Sequence, residues 1–113
     1  MRRYAQLVQT LTDSVLRSPG ATDPALRQAA ERRAAAIATP DGGSPASLPP
    51  DLVPFVEKVT RHAYEITEDD LAALRRAGYS EEAIFEITIS TALGAGQARL
   101  RRALSVLQEG GEA

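Results

Sequence analysis

Residues 80–98 read SEEAIFEITISTALGAGQA, and this stretch decides the fold. Ser80 suits a helix N-cap, and Glu81 and Glu82 fall in the first turn, where acidic side chains are favoured. From residue 83 to residue 98 nearly every position is apolar or small, and a helix that is apolar all round is buried all round. The stretch therefore predicts a long buried C-terminal helix. In a chain of only 113 residues we expect part of that burial to be against another subunit.

Four shorter helices are predicted upstream of this one. Asp23 and Pro24 are typical of a helix start, Thr67 and Asp70 have the spacing of a capping box, and Gly78 is typical of a helix end. Apolar residues recur at helical spacing between these signals, and no segment favours a strand. The predicted segments are Arg2–Arg17, Pro24–Ala38, about 51–64 and Glu68–Ala77. The fold class expected is all-α with about five helices.

The length predicts a single helical domain over residues 1–113 with one internal linker. Residues 39–50 read TPDGGSPASLPP and hold four of the chain's seven prolines. Proline and glycine at this density disfavour regular structure. We expect an irregular surface loop here.

Composition excludes several function classes. The chain has no cysteine and a single histidine, His62, so we expect neither thiol catalysis nor a metal site, and no cofactor. The net charge of −2 gives no reason to expect nucleic acid or acidic membranes as partners. No apolar run approaches the ~20 residues of a membrane span, and the N-terminus lacks a signal-peptide pattern. We expect a cytoplasmic protein.

The segment 70–84 matches the apolar pattern and the glycine turn of a helix-turn-helix. Its charge argues against DNA binding, because residues 67–90 carry six acids against Arg75 and Arg76. Duplex affinity depends largely on neutralising phosphates, so an acidic recognition helix has the wrong sign. We interpret the segment as a packing corner.

The polar candidates for catalysis or ligand binding surround the single histidine. His62 could act as a general base oriented by Glu57, with Tyr64 and Glu65 binding a ligand. The alternative is a structural histidine, charged and favourable to the negative end of the helix dipole. A pocket role predicts that His62→Ala folds and loses ligand, whereas a structural role predicts lower stability.

Two further features of the C-terminal helix have open interpretations. Gly94 and Gly96 each cost about 1 kcal/mol in a helix interior, which indicates close approach of another backbone or a ligand. Together with Phe85 and Ile89 we assign them to a subunit interface. The basic run 99–102 could hold a phosphate or carboxylate through its guanidinium groups, or form a solvated helix end or an inter-subunit ion pair.

Residues 71–86, LAALRRAGYSEEAIFE, continue into the small-residue helix 91–96, TALGAG. On these residues the segment 52–107 resembles the alkylhydroperoxidase-like (AhpD-like) or carboxymuconolactone decarboxylase superfamily. The resemblance implies a compact all-helical subunit that assembles with itself into trimers or hexamers.

The redox branch of that family carries Cys-x-x-Cys-x-x-x-His. Counted back from Gly78, the two cysteine positions fall near Ala63 and Ile66 and the histidine position falls at Asp70, and none of the three matches. The family's upstream glutamate falls near Asp51, inside the proline-flanked start of the third helix, and is not carried over. A thiolate is the nucleophile of the redox chemistry, so peroxidase activity does not transfer to this chain. The expected function is a non-redox, decarboxylase-like or ligand-binding role at a subunit interface. The alternative is a non-catalytic oligomeric scaffold.

Overall fold

The computed structural model of the protein describes residues 2–39 and 47–111 and confirms the all-α class. Those residues form five α-helices and one short 3-10 turn, with no strand among them. The predicted linker 39–50 falls largely on residues 40–46, which lie outside the described residues. The elements are α1 (Arg2–Arg17), α2 (Pro24–Ala38), α3 (Val53–His62), the 3-10 turn (Ala63–Glu65), α4 (Glu68–Arg76) and α5 (Glu81–Gly111).

The helix boundaries follow the capping chemistry of the sequence. The Asp23 side chain accepts a hydrogen bond from the amide of Ala25 at 2.9 Å, and the Ser80 hydroxyl accepts one from the amide of Ala83 at 3.1 Å. Gly78 follows α4 with a φ of +104°, a conformation that favours glycine. α3 ends two residues earlier than expected, because the chain tightens into the 3-10 turn after His62.

The hydrophobic core lies where α3 packs against α2, α4 and α5. α3 supplies three of its eight residues, Phe55, Val56 and Val59, more than any other helix. Burial of such side chains stabilises a fold by about 1.5–3 kcal/mol each. The buried core residues are Ala30, Leu52, Phe55, Val56, Val59, Leu74, Ile84 and Ile87.

The closest helix crossing joins α2 and α5. Ala30 and Ala34 of α2 are fully buried there. Opposite them, a Cβ built on Gly94 would lie 2.2 Å from the backbone oxygen of Glu31. The alanine seam of α2 and the glycine of α5 therefore let two backbones approach within a distance that side chains would prevent.

A polar corner ties the end of α1 to α5. Arg27 is only 3% exposed, and its guanidinium donates hydrogen bonds to two carbonyl oxygens at the end of α1. The carboxylate of Glu86 on α5 accepts hydrogen bonds from the amides of Ala21 and Thr22, each at 2.8 Å. Its Oε1 also lies 3.9 Å from Arg27 Nε. Sequence patterning gave no sign that an arginine of α2 would be buried.

Candidate functional site

His62 and the three polar residues predicted to act with it do not share one enclosed site. Glu57 lies on α3, and its Oε1 accepts a hydrogen bond from Arg33 Nη2 of α2 at 3.3 Å. His62, Tyr64 and Glu65 are exposed at the end of α3 and in the 3-10 turn. The rings of His62 and Tyr64 meet edge to face, with centroids 6.0 Å apart. In the described part of the chain, the partner of Glu57 is thus an arginine.

A different group of charged residues surrounds a cavity between α3 and α4. This α3–α4 cavity has a volume of about 360 Å³. Its walls are apolar on one side and charged on the other, as is typical of sites for small organic molecules. The lining residues are Asp51, Pro54, Phe55, Lys58, Asp70, Ala73 and Leu74.

Lys58 and Asp70 form a half-buried ion pair in this cavity. The Lys58 ammonium donates a hydrogen bond to Asp70 Oδ2 at 2.8 Å. The same carboxylate completes the predicted capping box with Thr67 at the start of α4. The hydrogen bond from Lys58, followed by that from the Thr67 amide, lowers the pKa of Asp70 below its ordinary value. Asp70 therefore holds the lysine in place while anchoring the helix.

Tyr79 and Asp51 form the second polar pair beside the cavity. The Tyr79 hydroxyl donates a hydrogen bond to Asp51 Oδ1 at 2.9 Å. Burial, together with the neighbouring Asp51 carboxylate, raises the pKa of Tyr79 to about 12. The phenol therefore remains a donor at physiological pH and orients one oxygen of Asp51, so that the other oxygen can act as an acceptor.

The arrangement combines the groups that proton transfer beside a carbonyl requires. An ammonium group beside an apolar wall stabilises negative charge that develops on a ligand oxygen. A carboxylate with an unoccupied oxygen can accept a proton from the ligand. The cavity could also bind such a molecule without turnover.

The family resemblance counts its upstream glutamate near Asp51 and its histidine at Asp70. Both of them line the α3–α4 cavity. The two counted cysteine positions fall between α3 and α4, where Ala63 is exposed and Ile66 packs against the core. The capping-box spacing pointed to Asp70, but no sequence signal pointed to Lys58 as its partner.

The residues assigned to a subunit interface occupy two sides of α5. Phe85 is 64% exposed, Ile89 is half-buried, and Gly96 is exposed with no atom within 4 Å of a Cβ built on it. Gly94 lies on the opposite side, against α2. We call the exposed stripe, whose residues repeat at helical spacing, the outer face of α5. Its members are Phe85, Ile89, Ala92, Gly96 and Leu100.

An apolar stripe on α1 is also uncovered in the single chain. Its members Tyr4, Leu7, Val8 and Leu11 are between 41% and 68% exposed. Exposed apolar surface of this extent is typical of interaction sites. Each of the two stripes is therefore a surface on which another chain could pack.

Comparison with known proteins returned no match: no family model, no curated protein and no solved structure matches this chain. Within residues 2–39 and 47–111, no cluster of three or more potential ligands could hold a metal ion. Over the same residues, no helix combines the length and apolar character needed to cross a bilayer.

Proposed function

We propose that this chain is the subunit of an AhpD-like homo-oligomer that lacks thiol chemistry and binds a small organic molecule in the α3–α4 cavity. The reaction class that fits these groups is non-redox and decarboxylase-like, with a carbonyl-bearing ligand. Cysteine is absent from the whole sequence, so no thiolate can contribute.

One observation carries the proposal. Asp51 and Asp70 lie 19 positions apart in the sequence, and both line one cavity together with Lys58. The cavity therefore brings two carboxylates beside the only lysine of the sequence.

The three charged residues have separate roles in this proposal. Lys58 would stabilise negative charge on the carbonyl oxygen of the ligand. Asp51, oriented by Tyr79, would accept or return the proton. Asp70 is a positioning residue, because its carboxylate contacts Lys58 and the start of α4.

The test begins with native mass spectrometry of the untagged protein and of a Lys58→Met variant. We expect the wild type to retain a stoichiometric small molecule and Lys58→Met to lose it while folding normally. His62→Ala is the matched control, because His62 is an exposed polar side chain outside the cavity. Loss of the adduct in His62→Ala and its retention in Lys58→Met would return the site to His62 and Glu57.

A scaffold is the second candidate function, and the outer face of α5 favours it. That face presents Phe85 and Leu100 to solvent at 64% and 52% exposure. A trimer or hexamer formed through this face, with no bound molecule in the same mass spectrum, would favour the scaffold. A monomer would remove both the scaffold and the oligomeric part of the first proposal.

A further inference from the structure

A second cavity lies far along α5, beside the end of α2. Its volume is about 540 Å³, within the range of about 300–1,000 Å³ that small-molecule sites occupy. Among the described residues of its wall, the charged ones are both arginines and none is acidic. The lining residues are Ala38, Thr39, Arg99, Arg102, Ala103, Val106 and Leu107.

The two arginines differ in what holds them. Arg99 Nη2 donates a hydrogen bond to the backbone oxygen of Thr60 at 2.7 Å, which fixes this guanidinium at the cavity wall. Arg102 is exposed and has no hydrogen bond or ion pair with any other described residue. Its donors are therefore available to a ligand, and the positive charge of Arg99 reinforces them.

The apolar part of the wall extends from the arginines along α5. Ala103, Val106 and Leu107 continue the same side of the helix, and Val106 is 49% exposed. A purely anionic ligand would leave this surface in water, and a purely apolar one would leave Arg102 without a partner. The chemistry that satisfies both is a carboxylate attached to an alkyl chain.

We infer that this cavity, which we call the α2–α5 cavity, binds an anionic amphiphile: a free carboxylate carrying an alkyl chain of about ten carbons. The carboxylate pairs with Arg102 beside Arg99, and the chain covers the apolar wall. This inference does not depend on the α3–α4 cavity, because the two cavities share no lining residue.

The experiment is calorimetric titration of the full chain with decanoate, with decanol as the neutral ligand of equal chain length. We expect decanoate to bind at sub-millimolar concentration and decanol to bind about tenfold more weakly, since it lacks the charge-assisted pair. Arg102→Ala should weaken decanoate binding about tenfold. Arg101→Ala is the matched control, because Arg101 is an exposed arginine of the same helix outside the cavity.

Three results would overturn the inference. The first is the absence of decanoate binding to a protein whose helical circular dichroism is normal. The second is equal weakening by Arg101→Ala and Arg102→Ala, which would indicate net charge instead of a site. The third is binding to anionic phospholipid vesicles without binding to free decanoate, which would make the ligand a membrane surface. Val106→Ser, at an exposed position where it should fold, is expected to weaken decanoate binding by removing part of the apolar wall without adding a charge, and unchanged binding would show that the alkyl chain does not lie there.

Discussion

Gly94 and Gly96 lie two positions apart on one helix, yet they have different reasons to be glycine. On the inner side, Gly94 faces the backbone of Glu31, and a Cβ would come within 2.2 Å of its oxygen. On the outer side, a Cβ on Gly96 would meet nothing within 4 Å. The fold of the single chain requires the first glycine and does not require the second. The inner side of α5 therefore holds the subunit together, whereas the outer side is left for contact with another molecule.

The largest contrast is expected between Ile87 and Phe85, which represent the inner and outer sides. Ile87 is fully buried, so Ile87→Ala should lower the free energy of unfolding by about 2–5 kcal/mol. Phe85 is 64% exposed, and Phe85→Ala should change the stability of the isolated subunit by less than about 0.5 kcal/mol. Urea unfolding of both variants measures this difference. Similar losses under dissociating conditions would contradict the assignment of the two sides.

The glycine pair gives the next largest effect. Gly94→Ala should cost about 1–3 kcal/mol, because Glu31 belongs to a packed helix whose backbone must shift. Gly96→Ala should instead stabilise by up to about 1 kcal/mol, since alanine is the better helix former and has space here. Thermal unfolding of the two variants, each differing from wild type by one methyl group, is the measurement. A loss of stability in Gly96→Ala would show that another contact reaches this position.

A larger side chain at Gly96 tests whether the outer face of α5 takes part in assembly. Gly96→Leu should leave the isolated subunit folded, but it should weaken any association through the outer face of α5, because leucine holds the helices apart. Native mass spectrometry across a dilution series reports the change. Unchanged oligomers in Gly96→Leu would remove this face from the interface.

The smallest effect is expected for Glu86, which lies between the inner and outer sides of α5. Its carboxylate belongs to the polar corner that ties the end of α1 to α5. Hydrogen bonds from Thr22 and from the amide of Ala21 lower the pKa of Glu86 below its ordinary value of 4.5. The stability that this carboxylate contributes is therefore complete above that ordinary value and is lost as pH falls through the lower folded pKa. Urea midpoints measured from neutral to acidic pH should fall less steeply in Glu86→Gln. Identical pH profiles in the two proteins would show that other carboxylates govern the acid response.

The parts of this structure that sequence could predict are those decided within one helical turn. Asp23, Ser80 and Gly78 each act on backbone no more than four positions away, and all three lie where expected. The polar pairs of the cavity and of the corner connect residues that the helix crossings bring together, and a periodic pattern carries no information about those crossings. These pairs are Lys58–Asp70, Asp51–Tyr79 and Thr22–Glu86.

The sequence also could not predict which side of α5 faces the rest of the subunit. Sequence indicated that residues 83–98 are apolar or small on nearly every face and therefore buried all round, whereas in the single chain the side that carries Phe85 and Gly96 is exposed. It could not assign Gly94 to the inner side and Gly96 to the outer side, because either register is compatible with an apolar helix. That assignment depends on where α2 crosses, and hence on the alanine seam that includes Ala30 and Ala34.

The attachment of α1 has a consequence for the order in which the molecule opens. Leu16 is the one buried apolar side chain among the described residues of α1, and hydrogen bonds to Arg27 hold the end of the helix. The rest of the subunit is held by a contiguous core centred on α3. Segments with few buried contacts open at lower free energy than the core. We therefore expect the amide hydrogens of α1 to exchange with solvent through local opening, and those of α3 to exchange only on global unfolding.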